Sequence, residues 1–189
     1  NIQNRIKFAH KLIPFSRDGE ARLRQAGFTN VEPAIWLGLD TDLWHPKPRE
    51  NLPKVMMSLG FQEDTFNILL VGANQERKRL RQQLEGIHLF YHGLGHATPP
   101  IPPHPNARLY MHTMIKGERD LAADLDELGL GGITNSPDQY EMMMGGFLEG
   151  LMVAIYNCAD VVLNVCMDGF GLSHIQAQAC GVPVIYLNE

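Results

Sequence analysis

Hydrophobic residues in this chain form short unbroken runs that are separated by longer segments with helical spacing. The run FNILLVG is read as a continuous apolar strand that ends at Gly72, and further strands are predicted at 107–113, near 132–134, at 161–166 and at 182–187. Runs of this length without alternation are typical of strands that are buried on both faces of a parallel sheet. The segments between and around them predict helices at about 52–59, 75–91, 118–128, 147–160 and 173–180.

Residues that favour helix ends support these boundaries. Ser16 is suited to an N-cap and Gly27 to the position after a helix end, so a further short helix is predicted between them. Gly60 closes the helix at 52–59 in the same way. In the helix at 147–160, an apolar face is predicted from the four-residue spacing of Phe147, Leu151, Ile155 and Ala159.

The order of these elements predicts the fold class. Strands alternate with helices, which is typical of an α/β fold with a doubly wound, Rossmann-like parallel sheet. Ligands of such sheets bind at the carboxyl ends of the strands, where the glycine-bearing loops after 66–72 and after 161–166 are expected to lie. Ahead of the sheet, Pro33, Pro46 and Pro48 interrupt any helical spacing and predict an extended connector.

Composition and charge exclude several classes of function. The 189 residues have a formal net charge of −5, which argues against a nucleic-acid partner. No apolar run is long enough to span a bilayer, and the first residues lack a secretory signal. Cys158, Cys166 and Cys180 form no C-x-x-C pair, so a disulfide framework is not predicted. A cytoplasmic location fits this pattern best.

A basic cluster follows the first predicted strand. Four of the five residues from Arg77 to Arg81 are basic in a chain that is acidic overall. Their predicted place is the start of a helix, where partial positive charge already favours an anion such as phosphate. We therefore predict that Lys78, together with Arg77, binds an anionic ligand. Arg79 and Arg81 are predicted to lie on a solvated helix face.

The glycine loop DGFGLS follows the fourth predicted strand. Successive backbone N–H groups in such a loop form a concave cluster of donors that suits hydroxyl and phosphate oxygens. Asp168 could accept hydrogen bonds from a sugar. Gln176 has two open interpretations, because Ser173-x-x-Gln176 also matches a capping box in which the glutamine caps its own helix.

Three histidines at four-residue intervals raise the possibility of a metal site. His88, His92 and His96 would share a face on an unbroken helix. Gly93 and Gly95 are expected to end the helix before His96, and no carboxylate accompanies the three. The pattern favours a polar helix end, and no metal site is predicted.

Together these segments resemble the donor-binding half of retaining GT-B glycosyltransferases of group 1 (glycosyltransferase family 4). Four segments resemble motifs of that family, in the same order along the chain. They are VEPAIWLGLDTDLWHP, ILLVGANQERKRL, LMVAIYNCADVVLNV and DGFGLSHIQAQACGVPVI.

The resemblance implies roles for matching residues. Lys78 and Arg77 would neutralise the departing diphosphate, and Asp168 would hold the hydroxyls of the donor sugar. Gln176 would hold the nucleotide ribose. The reaction would transfer a sugar with retention of anomeric configuration, with a nucleotide-sugar donor and with no bound metal or other cofactor. The implied donor-binding positions are Gly72, Asn74, Gly169, Phe170, Gly171, Leu172 and Gln176.

Several positions depart from the family pattern. Asp168 and Gln176 replace two glutamates, Ala73 replaces a frequent arginine, and Cys166 lies where serine is frequent. The two replaced glutamates and Ala73 support an alternative function, that of a divergent GT-B module that binds a nucleotide or a partner without catalysis. A nucleotide-sugar 2-epimerase is a third hypothesis, which the D-G-F-G-L loop argues against.

The resemblance also implies a domain organisation. Residues 1–50 would be the tail of an N-terminal acceptor domain with the connector, and 51–189 a donor-binding domain that is incomplete at its C-terminus. The chain is thus expected to be truncated at both ends and inactive as an isolated segment. Its partners would be the missing N-terminal domain, the donor, and a sugar, lipid or protein acceptor. A lipid acceptor would place it at the inner face of the membrane.

Overall fold

The computed structural model describes residues 6–145, 147–166 and 170–187. Contacts between residues divide the chain into two units. Of the described residues, 6–39 and 170–172 belong to the first unit, and 40–166 and 173–187 belong to the second. The connector after residue 40 therefore groups with the second unit, while the domain assignment from the sequence stays a prediction.

The first unit contains the helix α1, Arg17–Gln25. The Ser16 hydroxyl accepts a hydrogen bond from the backbone N–H of Gly19 at 3.0 Å, as an N-cap residue does. Gly27 follows the helix with a φ of +89°, which is accessible to glycine at little cost. The predicted helix between Ser16 and Gly27 is confirmed.

The second unit is built on a sheet of five parallel strands in the order β3-β2-β1-β4-β5. The predicted doubly wound α/β fold is confirmed, because the first strand lies at the centre and the order runs outward on both sides. The strands are β1 (Phe66–Val71), β2 (Ala107–His112), β3 (Thr134–Asn135), β4 (Val161–Asn164) and β5 (Val184–Tyr186).

The α-helices around these strands agree with the sequence predictions to within a few residues, except that the sequence does not predict the short helix at 139–143. They are α2 (Pro53–Leu59), α3 (Leu80–His92), α4 (Leu121–Glu127), α5 (Gln139–Met143), α6 (Glu149–Asn157) and α7 (Leu172–Ala179). None of the helices in the described ranges is both long and apolar enough to cross a bilayer.

The core lies where α3 and α4 pack on β1 and β2. Leu70 of β1, Met111 of β2 and Leu84 of α3 are fully buried there. Burial of a large apolar side chain contributes about 1.5–3 kcal/mol, so the central strands and these helices fix the position of the loops at their carboxyl ends.

The predicted helix at 75–91 is wrong at its start. Glu76–Lys78 form a single 3₁₀ turn. Arg79 has a left-handed φ of 47°, which interrupts the helical conformation before α3 begins at Leu80. Lys78 therefore does not lie in the first turn of a helix, and the argument from the helix dipole does not apply to it.

The predicted apolar face of the helix at 147–160 is only partly correct. Ile155 is buried, but Leu151 is 39% exposed and Phe147 precedes the helix α6. Burial is instead concentrated in the last turns, where Val153 to Asn157 are all buried. Because consecutive residues are buried, the last turns of α6 are covered on more than one face. A single apolar face at four-residue spacing therefore does not describe this helix.

The connector at 40–51 is attached to the end of α6. Trp44 is only 2% exposed, and its indole donates a hydrogen bond to Glu149 at 2.8 Å. Arg49 forms an ion pair with Asp160 at 2.8 Å. The connector is thus held by side chains that reach α6 and Asp160, in addition to its own turns, such as the one closed by the hydrogen bond from the Trp44 N–H to the Asp40 carbonyl at 2.8 Å.

Candidate functional site

The strand order places a crevice at the carboxyl ends of β1 and β4. β1 pairs with β2 on one side and with β4 on the other, so the chain direction of the crossovers reverses between β1 and β4. Such a switch point is the usual ligand site of an open parallel sheet. The segments that follow the two strands, 72–79 and 165–166, contain several of the predicted site residues.

Lys78 reaches from the β1 loop to the end of β4. Its stem lies beside Gly72, where an added Cβ would be 3.6 Å from the lysine Cδ. Its ammonium Nζ lies 3.8 Å from the Sγ of Cys166. The backbone carbonyl of Lys78 accepts a hydrogen bond from Gln83 at 2.8 Å, which fixes the turn. Lys78 is only 9% exposed. A cation held at this place in the fold suits an anionic ligand.

The end of β4 is joined to α7 by a polar cluster. The Cys166 thiol donates to the Asn164 carbonyl oxygen Oδ1 at 2.6 Å, and the Asn164 amide donates to the Ser173 hydroxyl. The His174 ring nitrogen Nε2 lies 3.2 Å from the backbone carbonyl of Asn164. The residues Cys166 and Asn164 thus link Lys78 to the start of the helix that contains Gln176.

Gln176 lies on α7 and is partly buried. Its side-chain oxygen Oε1 accepts a hydrogen bond from the Tyr156 hydroxyl at 3.2 Å. Neither the capping role nor the ribose role that the sequence leaves open for Gln176 predicts this contact with α6. The role of Gln176 in binding stays a prediction.

Part of the predicted glycine loop lies outside the described residues. Asp168 and Gly169 are not described, while Phe170 and Gly171 are and belong to the first unit. Gly171 has a φ of +78°, a conformation that favours glycine, and Leu172 begins α7. Within the first unit, the Phe170 ring contacts the edge of the Trp36 ring at a centroid distance of 6.3 Å.

Three further predicted site residues follow β1. Gly72 ends the strand, and its N–H donates to the backbone carbonyl of His112 at 3.3 Å. Asn74 is buried, and its amide donates to the carbonyls of Met114 and Arg119 at 2.9 and 2.8 Å. Its side-chain N–H groups therefore hold the loop after β2. Arg77 is exposed at the start of the 3₁₀ turn.

The sequence predicts that Arg81 lies on a solvated helix face, and this prediction is wrong. In the structure Arg81 lies in an ion-pair network. Its side chain is 16% exposed and binds Asp124 at 2.9 Å and Glu127 at 2.8 Å. The bond from Arg119, together with that from Arg81, lowers the pKa of Asp124. A polar cavity of about 530 Å³ lies beside this network. Because Arg81 is committed to carboxylates on α4, it stabilises the fold instead of offering a charge to a ligand.

His112 is a buried histidine at the carboxyl end of β2, and sequence reasoning missed it. Its Nδ1 has no hydrogen-bond partner among the described residues, and the Phe147 ring packs on it at a centroid distance of 4.6 Å. Burial lowers the pKa of His112 to about 4, so the ring is neutral at neutral pH.

We expect His112 to make the protein less stable in mild acid. The unfolded chain binds a proton on this histidine below about pH 6.5, whereas the folded protein resists protonation down to about pH 4. The free energy of unfolding should therefore fall by about 2 kcal/mol between pH 7 and pH 5 because of this group. Urea unfolding at both pH values measures the loss.

The control for this prediction is a second histidine. His112→Asn should remove most of the fall in stability, and His45→Asn, which changes an exposed histidine, should retain it. An equal fall in the His112→Asn variant would contradict the assignment.

The spaced histidines do not form a metal site within the described ranges. His88 Nδ1 lies 2.8 Å from the carbonyl of Leu128, and its ring lies beside that of His92 at 4.7 Å. No group of three or more His, Cys, Asp or Glu side chains in the described part of the chain is arranged to hold a metal ion.

A second concavity, of about 340 Å³, is apolar. It lies between α3 and the strands β1, β4 and β5, and its lining includes Ile87, Val161 and Leu163. It offers few hydrogen-bonding groups, so it does not suit a nucleotide. The polar switch-point crevice remains the candidate ligand site.

Solved structures that superpose on this chain include glycosyltransferases. Sucrose-phosphate synthase from Thermosynechococcus elongatus superposes with a TM-score of 0.72 and 20% identity, over 98% of this chain and 42% of its own. Anabaena HepE in complex with UDP and glucose superposes with a TM-score of 0.72 and 19% identity, over 98% of this chain and 46% of its own. The C-terminal domain of a group 1 family glycosyl transferase, LpcC, from Francisella tularensis superposes with a TM-score of 0.58 and 16% identity. The match covers 79% of this chain and 70% of that domain's chain.

The chain spans less than half the length of the first two of these proteins. No protein-family model and no curated protein sequence matches it. Similarity at identities of 20% or less establishes the fold alone. The chain therefore has the α/β fold of the C-terminal domain of GT-B glycosyltransferases.

Proposed function

We propose that this chain is the nucleotide-sugar-binding half of a retaining glycosyltransferase. The observation that supports this most strongly is Lys78, whose buried ammonium lies at the switch point of the sheet beside Cys166. A buried cation at the carboxyl ends of parallel strands suits a phosphate-containing ligand. The fold agrees, since its solved neighbours include a glycosyltransferase in complex with UDP-glucose.

Lys78 would act on the leaving group. When the bond from the sugar to the nucleotide diphosphate breaks, negative charge develops on the departing diphosphate. A cation fixed in advance at that position stabilises the transition state more than the ground state, which is electrostatic catalysis. Arg77, exposed on the same turn, would add a second cation when the diphosphate is bound. No metal ion or other cofactor is needed for this step.

Gln176 would bind the ribose of the donor by hydrogen bonds without charge. A neutral bond is about half as strong as one to a carboxylate, so glutamine in place of the family's glutamate costs roughly 1 kcal/mol, or five- to tenfold in affinity. The sequence resemblance assigns the donor sugar to Asp168 and the loop Gly169–Leu172. Binding would thus be weaker than in the family, but retained.

Activity would require residues beyond this chain. The chain spans under half of the neighbouring full-length enzymes, so the acceptor site is proposed to lie on a preceding N-terminal domain. The acceptor would be a sugar, a lipid or a protein. The non-catalytic alternative is supported by Asp168, Gln176 and Ala73. The buried Lys78 beside Cys166 supports the catalytic proposal, because it would act as a catalytic group that the alternative does not require.

Calorimetric titration of the chain with UDP, GDP and ADP tests the proposal. We expect UDP to bind with a dissociation constant in the micromolar to low-millimolar range, because a neighbour of the same fold binds it. Absence of binding by all three nucleotides, while circular dichroism shows a folded chain, would contradict the proposal. Retention is tested separately, by determining the anomeric configuration of the product made by the protein that includes the acceptor domain.

A further inference from the structure

The side-chain amide of Gln176 has two ends with opposite hydrogen-bonding character. Its oxygen only accepts, and its NH₂ group only donates. A glutamate at this position would accept at both oxygens. Which end faces a ligand therefore decides whether Gln176 donates a hydrogen bond to it or accepts one from it, and the structure bears on that choice.

Tyr156 holds the oxygen end of this amide. Its hydroxyl donates to Gln176 Oε1 at 3.2 Å, and the tyrosine is fully buried on α6. Within the described part of the chain, Gln176 Nε2 makes no hydrogen bond. The amide is thus held at its oxygen and free to donate at its nitrogen.

The surroundings of Tyr156 keep its hydroxyl in place and protonated. The Trp44 ring packs edge-on against the Tyr156 ring at 5.6 Å and 72°, and Trp44 is itself fixed by its bond to Glu149. Burial raises the pKa of Tyr156 well above its usual range, so the phenol remains a hydrogen-bond donor at all physiological pH values.

We propose that Tyr156 is a positioning residue that turns the N–H groups of Gln176 toward the donor ribose, so that a ribose hydroxyl oxygen acts as the acceptor. The inference rests on the proposed function, since it assumes that Gln176 faces the nucleotide. A glutamate at position 176 would accept a hydrogen bond from the ribose hydroxyl. In the proposed arrangement Gln176 donates and the ribose oxygen accepts, so the direction of the hydrogen bond is reversed. Tyr156 itself does not contact the nucleotide.

This arrangement makes Tyr156 matter only when residue 176 is a glutamine. Without the tyrosine hydroxyl the amide can turn over and present its oxygen. A carboxylate has two equivalent oxygens, so the orientation of a glutamate has no such consequence. The effect of removing the hydroxyl should therefore depend on the residue at position 176.

A double-mutant cycle tests this dependence. UDP affinity is measured by calorimetry for the unchanged chain, Y156F, Q176E and the double variant. We expect Y156F to weaken UDP binding about three- to tenfold in the chain with Gln176, the value of one neutral hydrogen bond. In the Q176E background, the same change should weaken binding by less than about twofold. Thermal unfolding of all four proteins checks that each is folded.

The outcomes separate the two proposals. If the unchanged chain does not bind UDP, both proposals fail. If it binds UDP but Y156F has no effect, or has the same effect in both backgrounds, the positioning role is wrong and the proposed function stands. A second readout needs no variant of Tyr156, because the side-chain ¹⁵N resonance of Gln176, identified by its loss in Q176E, should shift when UDP is added. An unshifted resonance on UDP binding would also overturn the inference.

Discussion

Replacement of Lys78 by methionine is expected to lower the rate of sugar transfer by about 100- to 1,000-fold, the usual effect of removing one fixed group that stabilises charge in a transition state. Methionine keeps an unbranched stem of similar length, which can still lie beside Gly72. The change therefore removes the charge and little of the packing. Transfer is measured in the protein that includes the acceptor domain.

Binding to the chain by itself gives a second measurement of the same change. A hydrogen bond to a charged group is worth about 1.5–3 kcal/mol, so UDP affinity should fall by roughly 10- to 150-fold in Lys78→Met. Lys54→Met, which changes an exposed lysine on α2, is the matched control and should bind UDP normally. Equal affinity in both variants would exclude Lys78 from the site.

The fold follows from the sequence because the determining signals are local. The continuous run at 66–72 is typical of a strand covered on both faces, and the helix signals that alternate with it and with the later strand segments favour a parallel sheet. Gly27 and Gly60 end helices where the sequence predicts, since a positive φ has a clear residue preference. The short strand β3 was placed only approximately, because two residues give no periodicity.

The site is predicted less completely, because its contacts join residues that are distant in sequence. Lys78 was found from its charge and its place after a strand, but the break at Arg79 left no signal, since arginine rarely adopts a positive φ. The bond between Tyr156 and Gln176 crosses from α6 to α7, and the pairing of Arg81 with Asp124 crosses from α3 to α4. Spacing along one element does not reveal partners on another.

The two tryptophans illustrate the same limit. Trp36 and Trp44 flank the connector, which predicts that both pack it down, and residue type alone does not distinguish them. Trp44 is 2% exposed, whereas Trp36 is 57% exposed, so the expectation is confirmed for Trp44 and wrong for Trp36. The difference lies in what each ring meets. Trp44 reaches Glu149 at the start and Tyr156 near the end of α6, and these residues are more than a hundred positions away.

Replacement of Trp44 by alanine is therefore expected to lower the free energy of unfolding by about 3–5 kcal/mol, the usual cost of deleting a large buried aromatic side chain. The loss combines the cavity, the edge-on contact with Tyr156 and the unpaired Glu149 carboxylate. Urea unfolding followed by far-UV circular dichroism measures it independently of tryptophan fluorescence. Trp36→Ala, a deletion of the same side chain at an exposed position, should cost less than about 1 kcal/mol.

A smaller change separates the contributions at Trp44. Trp44→Phe keeps most of the packing on Tyr156 but removes the hydrogen bond to Glu149, so it should cost about 1–2 kcal/mol, between the two alanine variants. If Trp44→Ala cost no more than Trp36→Ala, the connector at 40–51 would unfold without the sheet. The position of Tyr156, and through it that of Gln176, would then not depend on the connector. The expected large loss instead makes the connector part of the same cooperative structure as the ligand site, because the residue that fixes Tyr156 belongs to it.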